Sequence, residues 1–163
     1  NFYKVFNDLI NDEELNEFIQ KKGYKLIFKP HRKIQSFMHT FDMPDEVVFD
    51  TDSSNYTETF NKSSLLITDY SSCMFDMAIR KMPCVLYVPD MEKYLSDERG
   101  FYFGIDGLPF PYALDNEALT EYITNFDTAG YENKINEFLA NVGSYENGTS
   151  CKALAEKIAE ITK

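Results

Sequence analysis

The fold is decided by residues 65–88, which read LLITDYSSCMFDMAIRKMPCVLYV. Two short apolar runs, 65–68 and 84–88, flank a segment 72–81 in which apolar residues recur at four-residue steps, as on one face of a helix. Pro83 stops that helix. Since the two runs are apolar throughout and do not alternate, both strands are expected to be covered on both faces, as in a parallel sheet. The segment therefore predicts a strand-helix-strand unit.

The same pattern continues on both sides of this unit. Apolar runs at 24–28 and 47–49 predict further strands, and helices are predicted at 12–22, 32–39, 57–61, 116–124, 132–140 and 151–161. Gly23 is expected to end the helix 12–22, and Ser150 to cap the last helix. Residues 90–111 are predicted as a long loop. We therefore predict an α/β fold, a Rossmann-like doubly wound parallel sheet, in a single domain over residues 1–163.

The composition excludes several classes of protein. Of 163 residues, 44% are hydrophobic, which is typical of a globular chain, and 27 acidic against 16 basic residues give a net charge of −11. Such a surface repels nucleic acid and anionic membranes. The three cysteines show no C-x-x-C spacing, so we expect a reduced, cytoplasmic protein without disulfides. No apolar run is long enough to span a membrane. The start at Asn1 suggests a piece of something longer.

Polar residues follow each predicted strand. Ligands of doubly wound sheets bind beyond the carboxyl ends of the strands, so these residues are the candidate site. At 68–72 the helix begins, and its unpaired N–H groups with the hydroxyls of Ser71 and Ser72 are suited to a phosphate. The alternative is that a serine only caps the helix. The other candidates at strand ends are Lys29, His31, Arg32, Thr68, Asp69 and Asp90.

His31 and Arg99 are the candidate charged groups. His31 lies between Lys29 and Arg32, where it can donate to a phosphate or move a proton; the alternative is a structural or solvated histidine. Arg99 in the long loop can clamp phosphate oxygens with two donors, or it is solvated and paired with Asp97 or Glu98.

Metal and cofactor motifs are weak. The stretch Asp50-Thr51-Asp52 has the D-x-D form with which some glycosyltransferases hold a metal, but a chance match is expected with 27 acidic residues. There is no histidine or cysteine cluster and no Walker lysine motif. We predict no metal and no cofactor.

Several blocks, in order along the chain, resemble one family. These are Lys29-Pro30-His31, residues 66–72 with Phe75-Asp76, residues 87–90, Tyr94, and Arg99-Gly100-Phe101-Tyr102. Together they resemble the CDP-glycerol glycerophosphotransferases, the teichoic acid primases and polymerases, over about residues 12–163. The resemblance implies the C-terminal, donor-binding domain of a two-domain GT-B enzyme, with the acceptor-side N-terminal domain absent and the helix 151–161 packing back against it.

The resemblance also implies a reaction and roles for residues. Glycerol phosphate, or a related polyol phosphate, passes from a CDP-linked donor to a hydroxyl of a teichoic-acid-like cell-wall polymer, and CMP is released. The residues that hold the donor pyrophosphate are then Ser71, Ser72, Lys29 and Arg99, with His31 at the phosphates or leaving group as the catalytic residue. Thr68, Asp69 and Asp90 position the loop or contact a hydroxyl.

This chain departs from the family pattern at two places. His31-Arg32 stands where the family often has His-Pro, and Pro109-Phe110-Pro111 stands where it often has Pro-Gly-Pro. The first change adds a positive group or alters the local turn, and the second implies a different loop path and acceptor preference.

Two other functions remain open. One is a GT-B sugar transferase or epimerase domain that binds a UDP-sugar, for which Asp76 is the nearest match to the usual ribose-binding glutamate. The other is a non-catalytic nucleotide-binding module. On the preferred reading the isolated chain is inactive, and the polymer acceptor binds through the absent domain. The parent enzyme is then cytoplasmic and peripheral at the inner face of a bacterial membrane, which only its absent parts contact.

Overall fold

The chain folds into short parallel strands separated by helices. A computed structural model describes residues 2–31, 33–51, 56–97 and 103–162. The strands are β1 (Ile27–Phe28), β2 (Val48–Phe49), β3 (Leu66–Thr68), β4 (Cys84–Tyr87) and β5 (Tyr112–Ala113). The helices are α1 (Phe2–Ile10), α2 (Glu13–Lys21), α3 (Tyr56–Lys62), α4 (Cys73–Ile79), α5 (Met91–Asp97), α6 (Asn116–Thr124), α7 (Thr128–Asn141) and α8 (Ser150–Ile161), with a 3-10 helix at Gln35–Thr40.

The strands form two parallel sheets. β1 pairs with β2, and β4 lies between β3 and β5 in a sheet of three. Leu66 faces Cys84 across the first pair of the larger sheet, and Leu86 faces Tyr112 across the second. The predicted α/β fold with parallel strands is confirmed, although the strands are shorter than the apolar runs suggest and hydrogen bonding divides them between two sheets.

Helices cover both sides of β4, whose four residues are all buried. α4 and α7 pack on one side and α1, α2 and α6 on the other, which is the doubly wound arrangement. The first cluster includes Cys84, Leu86, Met77 and Ile135, and the second includes Val85, Tyr87, Leu9, Leu15 and Leu119. Burying apolar surface on both sides makes β4 the centre of the hydrophobic core.

α1 connects the two sheets. Leu9 belongs to the second of these apolar clusters on β4. Its neighbour Ile10 belongs to a third cluster, which includes Phe41 and Val47 and lies beside β1 and β2. Phe6 lies edge-on to Tyr87 of β4, with ring centroids 5.9 Å apart. The smaller sheet is therefore held on the larger one through side chains of α1.

Local signals in the sequence account for the ends of several helices. The Asp12 carboxylate accepts a hydrogen bond from the Leu15 amide and so caps α2. Gly23 follows that helix at a φ of +76°, which glycine adopts without strain, so its predicted end is confirmed. α4 ends at a comparable turn in which Lys81 has a φ of +56°, a conformation unfavourable for a residue with a Cβ.

Three sequence-based expectations were wrong. Residues 90–111 are not one loop, because α5 occupies Met91–Asp97 and the ring of Tyr94 packs against Tyr70 from a distant part of the chain. α7 begins at Thr128 rather than 132, since the Asp127 carboxylate accepts from the Gly130 amide. Ser150 is the first residue of α8, and Thr149 stands at the cap position without a side-chain hydrogen bond to the helix backbone.

In the part of the chain that the structure describes, no helix has both the length and the apolar character needed to cross a bilayer.

Candidate functional site at the carboxyl ends of the strands

Polar residues from both sheets meet at the carboxyl ends of the strands. β1 leads into Lys29 and His31, and β3 leads into Asp69. Asp90 follows β4 after two residues. The charges of Asp90 and His31 both act on the carboxylate of Asp69, so the structure brings these three groups close together. The sheets thus present one polar edge, as the strand order predicts.

The turn between β3 and α4 is organised by Asp69. Burial raises the pKa of Asp69 above its usual range; hydrogen bonds from the Asp69 and Ser71 amides oppose this, the charge of Asp90 adds to it and that of His31 opposes it. The bond from the Ser71 amide closes the turn on itself. The Asp69 carboxylate therefore lies beside the backbone of the turn at Ser71.

The hydroxyls of the two serines are not used by the helix. Ser72 stands at the cap position of α4, yet its side chain makes no capping hydrogen bond. Both Ser71 and Ser72 are exposed. The capping alternative is therefore not what the structure shows for Ser72, and both side chains face solvent at the polar edge.

The backbone of α4 offers fewer donors than a long helix would. The helix has seven residues, and the amides of Met74 and Phe75 already bond to the carbonyls of Ser71 and Ser72. An anion at this turn would therefore depend more on side-chain hydroxyls than on the helix dipole. The sequence had suggested that the helix N–H groups would contribute more than the hydroxyls.

Tyr70 joins the ends of β3 and β4. Its hydroxyl donates to the Asp90 carboxylate at 2.7 Å, and its ring lies parallel to that of Tyr94 in α5 with centroids 3.6 Å apart. Burial, and then the bond to Asp90, raise the pKa of Tyr70 far above its usual value, so the hydroxyl stays protonated and donates. Sequence reasoning gave Tyr70 and Tyr94 no role, because only the fold shows that they stack.

Lys29 points into the protein. Its ammonium forms an ion pair with the Asp50 carboxylate at 2.7 Å, and the hydroxyl of Thr59 donates to the same oxygen at 2.9 Å. The Lys29 side chain is only 9% exposed, and its ammonium lies 5.1 Å from the ring centroid of Tyr56. Asp50, the first residue of the D-x-D stretch, is thus paired with a lysine.

His31 is exposed and has a defined orientation. Its Nδ1 accepts a hydrogen bond from the Lys33 amide at 3.2 Å, and its carbonyl accepts one from the Ile34 amide at 2.8 Å. A ring nitrogen that accepts carries no proton, so the neutral ring has its proton on Nε2. His31 can therefore donate from Nε2 to an acceptor at the polar edge.

The remaining predicted residues contribute differently. Thr68 is half-buried, and its hydroxyl lies 3.5 Å from the sulfur of Cys73, so it packs between β3 and α4. Arg99, Arg32 and Asp52 lie outside the described residues. Among the residues that are described, no group of three histidine, cysteine or carboxylate side chains is placed to hold a metal ion.

An α/β domain with a polar site beyond parallel strands is a common scaffold for nucleotide-linked substrates. The sequence model of one family, CDP-Glycerol:Poly(glycerophosphate) glycerophosphotransferase, matches residues 2–160. The chain belongs to this family, and the resemblance drawn from its motifs is confirmed.

The relatives that this chain resembles are named as proteins of teichoic acid biosynthesis. The chain is 39% identical over 105 residues to the minor teichoic acid biosynthesis protein GgaB of Bacillus subtilis, with 64% of this chain and 11% of that protein covered. It is 33% identical to the teichoic acid poly(glycerol phosphate) polymerase of Staphylococcus epidermidis, with 86% and 20% covered. It is 31% identical to the teichoic acid glycerol-phosphate transferase of Staphylococcus aureus, with 94% and 39% covered.

Solved structures agree with the sequence comparison. The wall teichoic acid polymerase TagF superposes with a TM-score of 0.68 at 29% identity, over 93% of this chain and 38% of TagF. A TagF variant soaked with CDPG gives 0.69 at 25% identity, over 94% and 38%. The fold is therefore of the GT-B type seen in TagF. The chain spans well under half the length of each of these proteins.

Proposed function

We propose that this chain is the donor-binding domain of a transferase. The enzyme moves glycerol phosphate, or a related polyol phosphate, from a CDP-linked donor to a hydroxyl of a teichoic-acid-like polymer and releases CMP. The observation that carries the proposal is the turn at residues 69–72, where two exposed serines follow a partly buried aspartate in a chain of the glycerophosphotransferase family. The polymerase soaked with CDPG supports the choice of donor.

The reaction needs positioning and charge stabilisation rather than covalent catalysis. The acceptor oxygen attacks the phosphorus that carries the polyol, the bond from that phosphorus to the CMP oxygen breaks, and CMP leaves with the bonding electrons. The acceptor hydroxyl releases its proton to solvent as the new phosphodiester forms. Donors aimed at the phosphate oxygens lower the barrier, because negative charge moves onto the leaving phosphate.

Ser71 and Ser72 hold the pyrophosphate in this proposal. Their hydroxyls are exposed at the polar edge, and the Asp69 carboxylate lies beside the Ser71 amide. Arg99 adds a two-pronged contact, as the sequence suggests. Thr68, Asp69 and Asp90 support the turn, the last through its bond with Tyr70.

His31 donates a hydrogen bond from Nε2 to the donor phosphates. The tautomer set by the Lys33 amide supports this role. A phosphate monoester has a second pKa of about 6, so CMP is stable as an anion and needs a hydrogen bond more than a full proton when it leaves. His31 is the catalytic residue of this chain in that sense.

We further propose that the part of the relatives outside this chain supplies the acceptor side. α8 supports this, because its apolar residues Leu154, Ile158 and Ile161 are 62%, 52% and 74% exposed. The polar face of α8 has neighbouring lysines and glutamates in pairs, so it is nearly neutral and suits a protein partner better than an anionic membrane. In the longer protein α8 would pack against the acceptor-side domain.

For the same reason we expect the isolated chain to have no transferase activity, because one half of the cleft cannot orient an acceptor. With a net charge of −11, its own surface is a poor binder of nucleic acid or of an anionic membrane. We propose that the parent enzyme works in the cytoplasm, and that its other parts make the contact with the inner face of the membrane.

The donor assignment is tested by calorimetry on the 163-residue chain. We expect CDP-glycerol to bind, and UDP-glucose and UDP-N-acetylglucosamine to bind at least ~10-fold more weakly, because pocket contacts to the base and polyol differ. CDP-ribitol titrated beside CDP-glycerol identifies the polyol. Tighter binding of a UDP-sugar would favour the sugar transferase instead. Absence of CDP-linked binding, also in the intact parent protein, would refute the proposal.

The role of α8 is tested in the parent protein. Leu154→Ser with Ile158→Ser should lower activity and loosen the two domains, as measured by limited proteolysis between them. The matched control is Lys152→Ser with Lys157→Ser on the polar face, which should leave both unchanged. Equal behaviour of the two variants would contradict this packing.

A further inference from the structure

The cluster around Lys29 lies just behind the candidate site and has no part in the reaction as described above. It consists of Lys29 at the end of β1, Asp50 after β2, and Tyr56 and Thr59 in α3. Asp50 receives the ammonium of Lys29 at 2.7 Å and the hydroxyl of Thr59 at 2.9 Å on the same oxygen. A buried charge is costly unless it is paired in this way, so removing one partner from the cluster costs free energy.

Lys29 is already engaged by the side chains around it. Its side chain is 9% exposed and that of Asp50 is 25% exposed, and the ring of Tyr56 lies against the ammonium. An ammonium has three donors, but only 9% of the Lys29 side chain is exposed, so little of it is accessible to a pyrophosphate while it contacts Asp50 at 2.7 Å. The direct contact suggested by the sequence would therefore require the side chains around Lys29 to open.

One residue separates this cluster from His31. Pro30 is buried, and its ring restricts the backbone φ. The position of Lys29 therefore constrains the position of His31. On the other side of His31, the Lys33 amide holds Nδ1. The histidine is thus fixed from both directions, by the ion pair before it and by the amide after it.

We propose that Lys29 is a positioning residue, which acts through Asp50 and Pro30 to place His31 and does not contact the donor. This inference rests on the proposed function, because it assumes that His31 binds the donor phosphates. Misplacing a binding group by about 1 Å is enough to lose much of its effect. Removing the ion pair should therefore lower the affinity for the donor by at most the amount that His31 contributes to it.

A double-mutant cycle distinguishes positioning from direct contact. CDP-glycerol affinity is measured by calorimetry for the wild-type chain, Lys29→Met, His31→Ala and the double variant. We expect His31→Ala to weaken binding roughly 10- to 100-fold, as for loss of a hydrogen bond to a charged group. Lys29→Met should weaken it less or equally, and the double variant should bind like His31→Ala alone. Losses that multiply would instead show that Lys29 contacts the donor and would overturn the inference.

Two further variants separate positioning from loss of folding. Lys29→Arg keeps the charge and should restore most of the affinity, whereas Thr59→Val removes only one bond to Asp50 and should give a small loss of the same kind. The tautomer of His31, followed by the nitrogen chemical shifts of its ring, should change in Lys29→Met. The matched control is Lys62→Met, which breaks the exposed pair with Glu58 in α3 and should change neither the affinity nor the tautomer.

The outcomes also separate this inference from the proposed function. If neither His31→Ala nor a change at Ser71 and Ser72 affects CDP-glycerol binding, the donor site itself is wrong. If His31→Ala weakens binding while folded Lys29→Met binds normally and keeps its histidine tautomer, only the positioning role is overturned.

Discussion

Replacing both serines of the turn, Ser71→Ala with Ser72→Ala, separates a donor site from a helix cap. In an ordinary cap the serine oxygen accepts a backbone N–H, and its loss costs typically ~1 kcal/mol of stability. Here the Ser72 side chain makes no capping bond and both serines are exposed. The double variant should therefore lose binding and keep its fold.

The structure sets the expected size of both effects, the loss of donor affinity and the change in stability. A hydrogen bond to a charged phosphate contributes about 1.5–3 kcal/mol, so each hydroxyl that reaches the donor accounts for roughly 10- to 150-fold in affinity. Exposed substitutions that break no contact usually change stability by within about 0.5 kcal/mol. For a chain of this length that is a shift of less than about 2 °C in Tm.

Two measurements on the same preparations test the prediction. Calorimetry with CDP-glycerol gives the affinity, and thermal unfolding followed by circular dichroism gives Tm. Ser64→Ala is the matched control, because Ser64 is exposed but precedes β3, at the opposite end of the strand from the turn. Normal donor binding combined with a fall of several degrees in Tm would show that the serines are caps, and the reasoning would be refuted.

Three further predictions concern stability and are measured by urea unfolding. Asp69→Asn should stabilise the chain at pH 7, because the raised pKa of Asp69 means that its charged form is disfavoured in the fold. In the wild type this loss of stability sets in as pH rises past the unfolded aspartate pKa of about 4 and is complete above the higher folded pKa, so the difference should vanish below about pH 4; a gain that persists there would contradict this cause. Lys29→Met should cost about 3–5 kcal/mol and Lys62→Met less than about 1 kcal/mol, because the first leaves a half-buried carboxylate without its cation and the second breaks an exposed pair; equal costs would mean that burial of the pair is unimportant. Lys81→Gly should stabilise the chain by about 0.5–1 kcal/mol, since Lys81 has a φ of +56° that glycine adopts freely; a loss of stability would show that the side chain matters more than the backbone.

Features encoded within a few residues could be read from the sequence. Apolar residues at four-residue steps predicted α4, and the apolar run at 84–88 predicted β4. Asp12 and Gly23 marked the two ends of α2. These signals work locally, because periodicity and caps act over one or two turns. The same is true of the turn at 69–72, which is a candidate site from its letters alone.

Other features depend on contacts between distant residues. α5 was missed because its Tyr94 stacks on Tyr70, a partner that only the fold supplies. The ion pair of Lys29 with Asp50 spans 21 positions and follows from the parallel pairing of β1 with β2. A sequence shows that Lys29 is charged, but it does not show which way the side chain points.

The sequence by itself therefore determined the α/β class, the strand-helix-strand centre and the position of the polar turn along the chain. The tertiary structure decided which polar side chains are available there. Ser71 and Ser72 face solvent, whereas Lys29 is held by Asp50 inside the protein. The physical reason is that availability depends on burial and on partners brought together by strand register, and neither is encoded in neighbouring residues.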